Sequence, residues 1–206
     1  MTAKTCAIIL LASGLSKRFG AEDKLLARLA GKSVIDHTIG NIAPVGFGLH
    51  IAVIGALTNL DTALRDKLTK AGYHIIVNPS PENGQGSSLA LGAKAVIEAG
   101  FGRTCIALAD MPCVPSAHFL ALLALGETTE QVVSETVGEQ AITLPPCIFN
   151  GASLLRLIKS EGDRGAKRYL RGNNVARQKL STWAAKDIDT LADLQALEDH
   201  MKDADK

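Results

Sequence analysis

Two short stretches hold residue types suited to gripping a polyphosphate. "LASGLSKRFGAEDKLL", Leu11 to Leu26, follows an apolar run and turns small, flexible and basic. Its glycines, Gly14 and Gly20, let the backbone curl so that several N–H groups point at one anion, while Arg18 and Lys24 add full charges. The plainer alternative is a solvated turn carrying two cations. "ALADMPCV", Ala107 to Val114, places Asp110 at the end of a second apolar run. A carboxylate there is costly unless its charge is satisfied, which a magnesium ion bridging phosphates would do; an aspartate capping the turn before Pro112 is the other reading.

Two further segments fit the same chemistry. "NPSPENGQGSSLALGA", Asn78 to Ala93, has Gly84, Gly86, Ser87 and Ser88 where a helix begins, so free N–H groups at its N-terminus would face a ligand, or the residues simply cap the helix. "KDIDTLADL", Lys186 to Leu194, offers acids before a final helix. Magnesium takes one or two carboxylates plus phosphate oxygens and water, so a second acid is expected beside Asp110. Either acid could instead serve the helix dipole.

Other phosphate loops are excluded by spacing. "GKS" at Gly31 to Ser33 imitates the end of a kinase-type loop, but the glycine needed five residues earlier is replaced by Leu26. No GxGxxG follows the first apolar run, which argues against a dinucleotide-dependent oxidoreductase.

The elements that must position these residues are legible in the hydrophobic pattern. Strands are expected at Cys6 to Leu11, Leu49 to Ile54, His74 to Val77 and Thr104 to Leu108, with helices between them. Ser33 and Asp36 form a capping-box pair ahead of Ile35, Ile39 and Ile42 on one helical face. Further helices are read over Leu60 to Lys70, from about Ser87, after Pro115, over Ala152 to Ile158 and, with a Thr190 to Asp193 cap, over Thr190 to His200. Gln131 to Val137 and Ala141 to Leu144 read as strands around a Gly138 turn, and this second half as α+β decoration. Alternating strands and helices imply right-handed crossovers on a mainly parallel sheet with helices on both faces.

Composition agrees with one such unit. The chain has 206 residues, 47% of them hydrophobic and 21% charged, enough for a single domain burying on the order of 70% of its unfolded surface. The formal net charge of +1 makes no long-range field, so neither nucleic acid nor an anionic membrane is an expected partner and phosphate recognition must be local. Four scattered cysteines without a CxxC pair fit a reducing, cytoplasmic setting. The apolar run Thr5 to Leu11 is too short to span a membrane. The five histidines show no ligand spacing.

The pattern LxxGxSxRxG followed by Lys24, Leu25 and Leu26 resembles the opening of the MobA-like nucleotidyltransferases, which include molybdenum cofactor cytidylyltransferases and guanylyltransferases. The resemblance runs from residue 5 to about 197. It implies a single three-layer α/β domain over residues 1–206, Rossmann-like and nucleotide-diphospho-sugar transferase-like, with a core of about 4–200; the charged tail at 201–206 reads as frayed. It implies that Leu11, Ala12, Ser13, Gly14, Leu15 and Ser16 wrap the nucleotide's triphosphate with Arg18, that Lys24 sits against the phosphates at the reacting end, and that Gly84, Gln85, Gly86 and Ser88 approach base and ribose. "DMP" resembles the family's metal-binding signature, giving Asp110 to magnesium with Asp189, or Asp187 in reserve. Ser13 and Phe19 depart from the family's commoner residues without removing a charge or a needed glycine.

"PPCIFNGASLLRLIKSEGDRGAKRYL", Pro145 to Leu170, resembles the family's acceptor-side segment, with Arg164, Lys167 and Arg168 available to a phosphate, or else a polar turn between helices. The implied reaction passes a nucleoside monophosphate, CMP from CTP by resemblance to the cytidylyltransferase branch, to a phosphorylated acceptor such as molybdopterin, with an apo-molybdoenzyme as a client. A sugar phosphate or another phospho-alcohol is the alternative acceptor. A nucleotide-binding protein that delivers cofactor without turnover is the alternative function.

Overall fold

The computed structural model describes residues 3–14, 18–20, 23–56, 61–138, 140–163, 165–170 and 175–204. Nine strands and six α-helices are found among them: β1 (Ala7–Ala12), β2 (Arg28–Leu29), β3 (Lys32–Ser33), α1 (Val34–Ile42), β4 (Leu49–Ile54), α2 (Asp61–Lys70), β5 (His74–Val77), α3 (Gln85–Glu98), β6 (Arg103–Leu108), α4 (Ser116–Leu125), β7 (Gln131–Thr136), β8 (Thr143–Asn150), α5 (Gly151–Leu157), β9 (Val175–Leu180) and α6 (Leu191–Ala204).

Strand β1 is buried on both faces, as an apolar run without alternation requires. Ile8 and Leu10 face the layer of α1, α2, α4 and α6, where Ile35, Leu68, Phe119 and Leu197 pack. Ala7, Ile9 and Leu11 face α3 and α5, meeting Leu89, Ala93 and Leu154. Each fully buried Ile or Leu contributes on the order of 1.5–3 kcal/mol of transfer free energy, so β1 anchors three layers.

The main sheet runs β5-β4-β1-β6-β8-β7-β9. β1 pairs parallel with β4 and β6, so the chain steps outward to β5 on one side and then returns to β6 on the other. That reversal is a topological switch point, where loops beyond the carboxyl ends of neighbouring strands leave a crevice. β8 is antiparallel to β6 and β7, and β9 is parallel to β7. The ends of β7 and β9 and the start of β8 therefore share the rim used by β1 and β6.

The chain's second half differs from its reading as decoration: β7, β8 and β9 extend the central sheet. β8 begins at Thr143 and runs on through Pro145 and Pro146 to Asn150, beyond the expected end at Leu144, because Cys147 to Asn150 pair with β6 while the prolines fall where the register with β7 shifts. β9, "VARQKL", is a sheet edge with a mostly polar, partly exposed sequence, which hides it from a search for apolar runs. No helix among the described residues is long and apolar enough to cross a membrane.

Candidate active site

The crevice lies between the exits of β1 and β6, which are tied where the Ala109 N–H donates to the Leu11 carbonyl at 3.0 Å. Ser13 leaves the sheet and shares a 2.6 Å hydrogen bond with the Ser88 hydroxyl. Asn78, buried after β5, donates to Ser88 and to Ser87, both at 2.8 Å. This network fixes where the loop departs, while Leu15 and Ser16 lie outside the described residues.

Lys24 sits in a turn made by Asp23, whose carboxylate accepts the Leu25 N–H at 2.9 Å. The same segment is pinned to the start of α1 by bonds from Val34 N to Ala27 O and from Ile35 N to Leu25 O. α1 begins at the Ser33–Asp36 capping box, and its Thr38 and Asn41 hold the loop after β6 by donating to the carbonyls of Ala109 and Pro112. Asp189 precedes α6, whose start is fixed by reciprocal Thr190–Asp193 bonds, and Ile188 N donates to the Asp110 carbonyl at 3.0 Å.

These supports bring four charges together. Lys24 Nζ donates to Asp110 Oδ2 at 2.6 Å and to Asp189 Oδ1 at 2.9 Å, and Arg18 reaches Asp189 Oδ2 at 2.5 Å. Lys24 is nearly buried, with its side chain 8% exposed, against 18% for Asp110 and 73% for Arg18. Burial works to lower the Lys24 pKa, but the two carboxylates prevail and hold the ammonium above its ordinary value. Burial raises the Asp110 carboxyl above its usual range, with Lys24 opposing it and Asp187 adding to it.

Asp110 Oδ1 is buried and has no hydrogen-bond partner among the described residues. A buried acceptor left over invites a donor or a cation. Asp110 and Asp189 fit magnesium or a similar hard divalent ion, which takes few carboxylates and completes its shell with phosphate oxygens and water. No cluster of three or more acidic, histidine or cysteine side chains able to hold a metal occurs among the described residues. Asp187, the reserve acid, lines a different cavity and takes no part in the ion-pair cluster.

Two cavities adjoin here. One of about 410 Å³ is lined by Leu11, Ser13, Gly14, Gly84, Gln85 and Asp110. A second, about 830 Å³, is walled by Met111, Ile142, Leu144, Ala166, Arg168 and Lys186, among others. Gln85, Leu108 and Asp163 line both.

The start of α3 corrects one expectation. The Gly86 N–H is not free for a ligand, because it donates to the Gly162 carbonyl at 2.8 Å. A Cβ on Gly86 would lie 2.6 Å from the Glu161 backbone, and one on Gly84 would strike Asp163. These glycines let the 161–163 segment lie directly on the helix end. Ser88 is fully buried and supports Ser13 instead of reaching the cavity, and Ala12 packs into the core. Of the acceptor-side cations, Arg168 lines the larger cavity and lies 3.8 Å from Glu161; Arg164 and the Lys167 side chain lie outside the described residues. Lys186 and Asp163 went unassigned in the sequence, although both stand inside quoted motifs, because only the strand ends reveal the wall they share.

The histidines have structural surroundings. His118 is buried against Ser134 at 2.7 Å, His37 bonds the Leu29 carbonyl, and His200 stacks on Trp183 with ring centroids 4.0 Å apart.

A single α/β domain with a mostly parallel seven-stranded sheet, helices on both faces and a crevice at the switch point has the nucleotide-diphospho-sugar transferase-like fold. The chain belongs to the MobA-like NTP transferase domain family, whose pattern matches residues 8–180. A bifunctional IPC transferase and DIPP synthase of Thermococcus kodakarensis is 35% identical over 100 residues, which are 47% of this chain and 22% of that protein, so the chain spans about a fifth of the length of this relative. Among solved structures, 4-diphosphocytidyl-2C-methyl-D-erythritol synthase from Anaerococcus prevotii superposes with a TM-score of 0.79 at 15% identity, covering 97% of each chain. Rv0371c of Mycobacterium tuberculosis H37Rv, in complex with manganese, gives 0.75 at 21%, covering 94% of this chain and 98% of its own. Molybdopterin-guanine dinucleotide biosynthesis protein A from Archaeoglobus fulgidus gives 0.67 at 18%, covering 96% and 99%. At these identities the structures establish the fold.

Proposed function

We propose that this protein transfers a nucleoside monophosphate, CMP from CTP, to a phosphorylated acceptor, with molybdopterin as the acceptor and pyrophosphate as the second product. The observation that carries the reading is the pair of adjoining cavities that meet at Gln85, Leu108 and Asp163, with Asp110 lining the smaller one and ion-paired to Lys24, which also pairs with Asp189. A triphosphate suits the smaller cavity, with Ser13, Gly14 and Arg18 at its phosphates. The larger, with apolar walls and Arg168, suits a bulky heterocyclic phosphate better than a small polyol.

An acceptor phosphate oxygen attacks the α-phosphorus; that P–O bond forms as the bond to the bridging oxygen of the β-phosphate breaks, and pyrophosphate leaves with the electron pair. No covalent enzyme intermediate is required. Both reactants are anionic, so the rate depends on positioning and on neutralising charge. Lys24 neutralises the α-phosphoryl oxygens and Arg18 the β and γ groups. Asp110 and Asp189 would hold a divalent ion, proposed to be magnesium, which when bound would offset the charge of the phosphates. Free thiols at Cys6, Cys105, Cys113 and Cys147 are consistent with the cytoplasmic setting of this proposal, in which an apo-molybdoenzyme receives the product.

A second acceptor class is a sugar phosphate or another phospho-alcohol, because a loop that grips the triphosphate does not select the acceptor. Phosphorus NMR on the protein with each triphosphate, magnesium and purified molybdopterin tests the first reading through a new diphosphate signal, expected with CTP. A signal only with sugar or polyol phosphates selects the second. Nucleotide binding with no pyrophosphate release from any mixture would turn the protein into a delivery factor.

A further inference from the structure

We infer that Lys24 stands in for the divalent ion on its own carboxylates and holds free metal off until a triphosphate draws the lysine away, so that metal and nucleotide enter as a coupled pair. The inference rests on the nucleotidyl-transfer reading of the crevice and concerns how its ligands are admitted.

The four charges of this cluster are already matched. Lys24 spans Asp110 and Asp189, and Arg18 takes the remaining Asp189 oxygen. The cations proposed for phosphate are thus occupied by the acids proposed for metal. Of these carboxylate oxygens Asp110 Oδ1 is left over among the described residues, and one oxygen is a poor site for a hard divalent ion.

Each ligand alone meets a penalty. A metal ion must displace the ammonium from Asp110 Oδ2 and Asp189 Oδ1, stranding a charge whose side chain is 8% exposed; an unpaired buried charge is strongly disfavoured. A triphosphate without metal must pull Lys24 off Asp110 and leave that carboxylate, 18% exposed, facing an anion with Asp187 adding negative charge nearby. When both enter, Lys24 passes to phosphoryl oxygens as Asp110 and Asp189 pass to the metal, and no charge is stranded. The two affinities should reinforce one another within the roughly 5–150-fold range usual for coupled sites.

The test removes the competitor. Binding of manganous ion alone, read from the electron paramagnetic resonance signal of the free ion, is compared in the wild-type protein and in Lys24→Met, which keeps the unbranched apolar stem and loses the ammonium. Lys24→Met should bind manganous ion at least about tenfold more tightly, and its melting temperature should rise on adding the ion by more than the wild type's does. Equal affinities in two folded proteins would overturn the inference. Should Lys24→Met not fold, Arg18→Gln at the exposed end of the cluster serves, with about a two- to fivefold tightening expected from freeing Asp189, and no change overturning it. Pyrophosphate release from CTP by the wild type reports on the transferase reading separately, so each can fail alone.

Discussion

Lys24 and Asp110, separated by 86 positions in the chain, meet in a 2.6 Å ion pair at the carboxyl rim of the sheet. The pair joins the loop after β1 to the loop after β6, the two strands flanking the switch point. A single contact thus links the proposed phosphate grip to the proposed metal grip.

Replacing Lys24 by alanine removes the cation proposed to neutralise the α-phosphoryl oxygens. Turnover should fall by about a hundredfold or more, comparable to deleting one oxyanion donor. Steady-state pyrophosphate release with CTP and acceptor measures it, and near wild-type turnover would refute the role.

Asp110→Asn keeps the shape of the side chain and removes its charge. The magnesium concentration giving half-maximal rate should rise by about tenfold or more, with Asp189→Asn showing the same direction and Asp187→Asn much less, because among the described residues it is Asp189 that shares Lys24 with Asp110. An identical magnesium titration for wild type and Asp110→Asn would remove the metal assignment.

Gly86→Ala probes the packing of the 161–163 segment on α3. The added methyl would meet the Glu161 backbone at 2.6 Å, so the segment must shift at a cost of about 1–3 kcal/mol. Thermal unfolding should show a midpoint lowered by several degrees, and kinetics a raised KM for the acceptor proposed to occupy the cavity that Asp163 helps to line. An unaltered midpoint contradicts the close approach.

His118 sets an acid limit on stability. Burial lowers its pKa from 6.5 to about 4, so the folded protein keeps the ring neutral where the unfolded chain protonates it. A depressed histidine pKa means the unfolded state binds more protons; stability is fully present above about pH 6.5 and is lost as pH falls toward 4. The midpoint of His118→Asn should decline less steeply than the wild type's across that window. Parallel slopes would show that other groups govern acid unfolding.

Much of this was legible locally. β4 and β5 match their apolar runs to the residue, and the capping pairs Ser33–Asp36 and Thr190–Asp193 mark helix starts through bonds spanning three residues. Lys24 and Asp110 were recognisable because a cation after a glycine loop and an acid after a buried strand are unusual enough to need a reason. β9 was not legible, since an edge strand buries little and its sequence need not alternate. Nor was the use of the Gly86 N–H: a glycine that admits a ligand and one that admits another backbone look alike in a sequence.

The sequence by itself determined the three-layer α/β class and the residue types able to meet phosphate and metal, because periodicity, capping and the cost of a buried charge act over a few neighbouring positions. Tertiary structure alone decided that Asp189 and not Asp187 faces Lys24, that Gly84 and Gly86 serve packing, and that the larger cavity opens between the ends of β7 and β9 and the start of β8. Those outcomes depend on which strands pair and in what direction, which hydrogen bonding between distant segments selects.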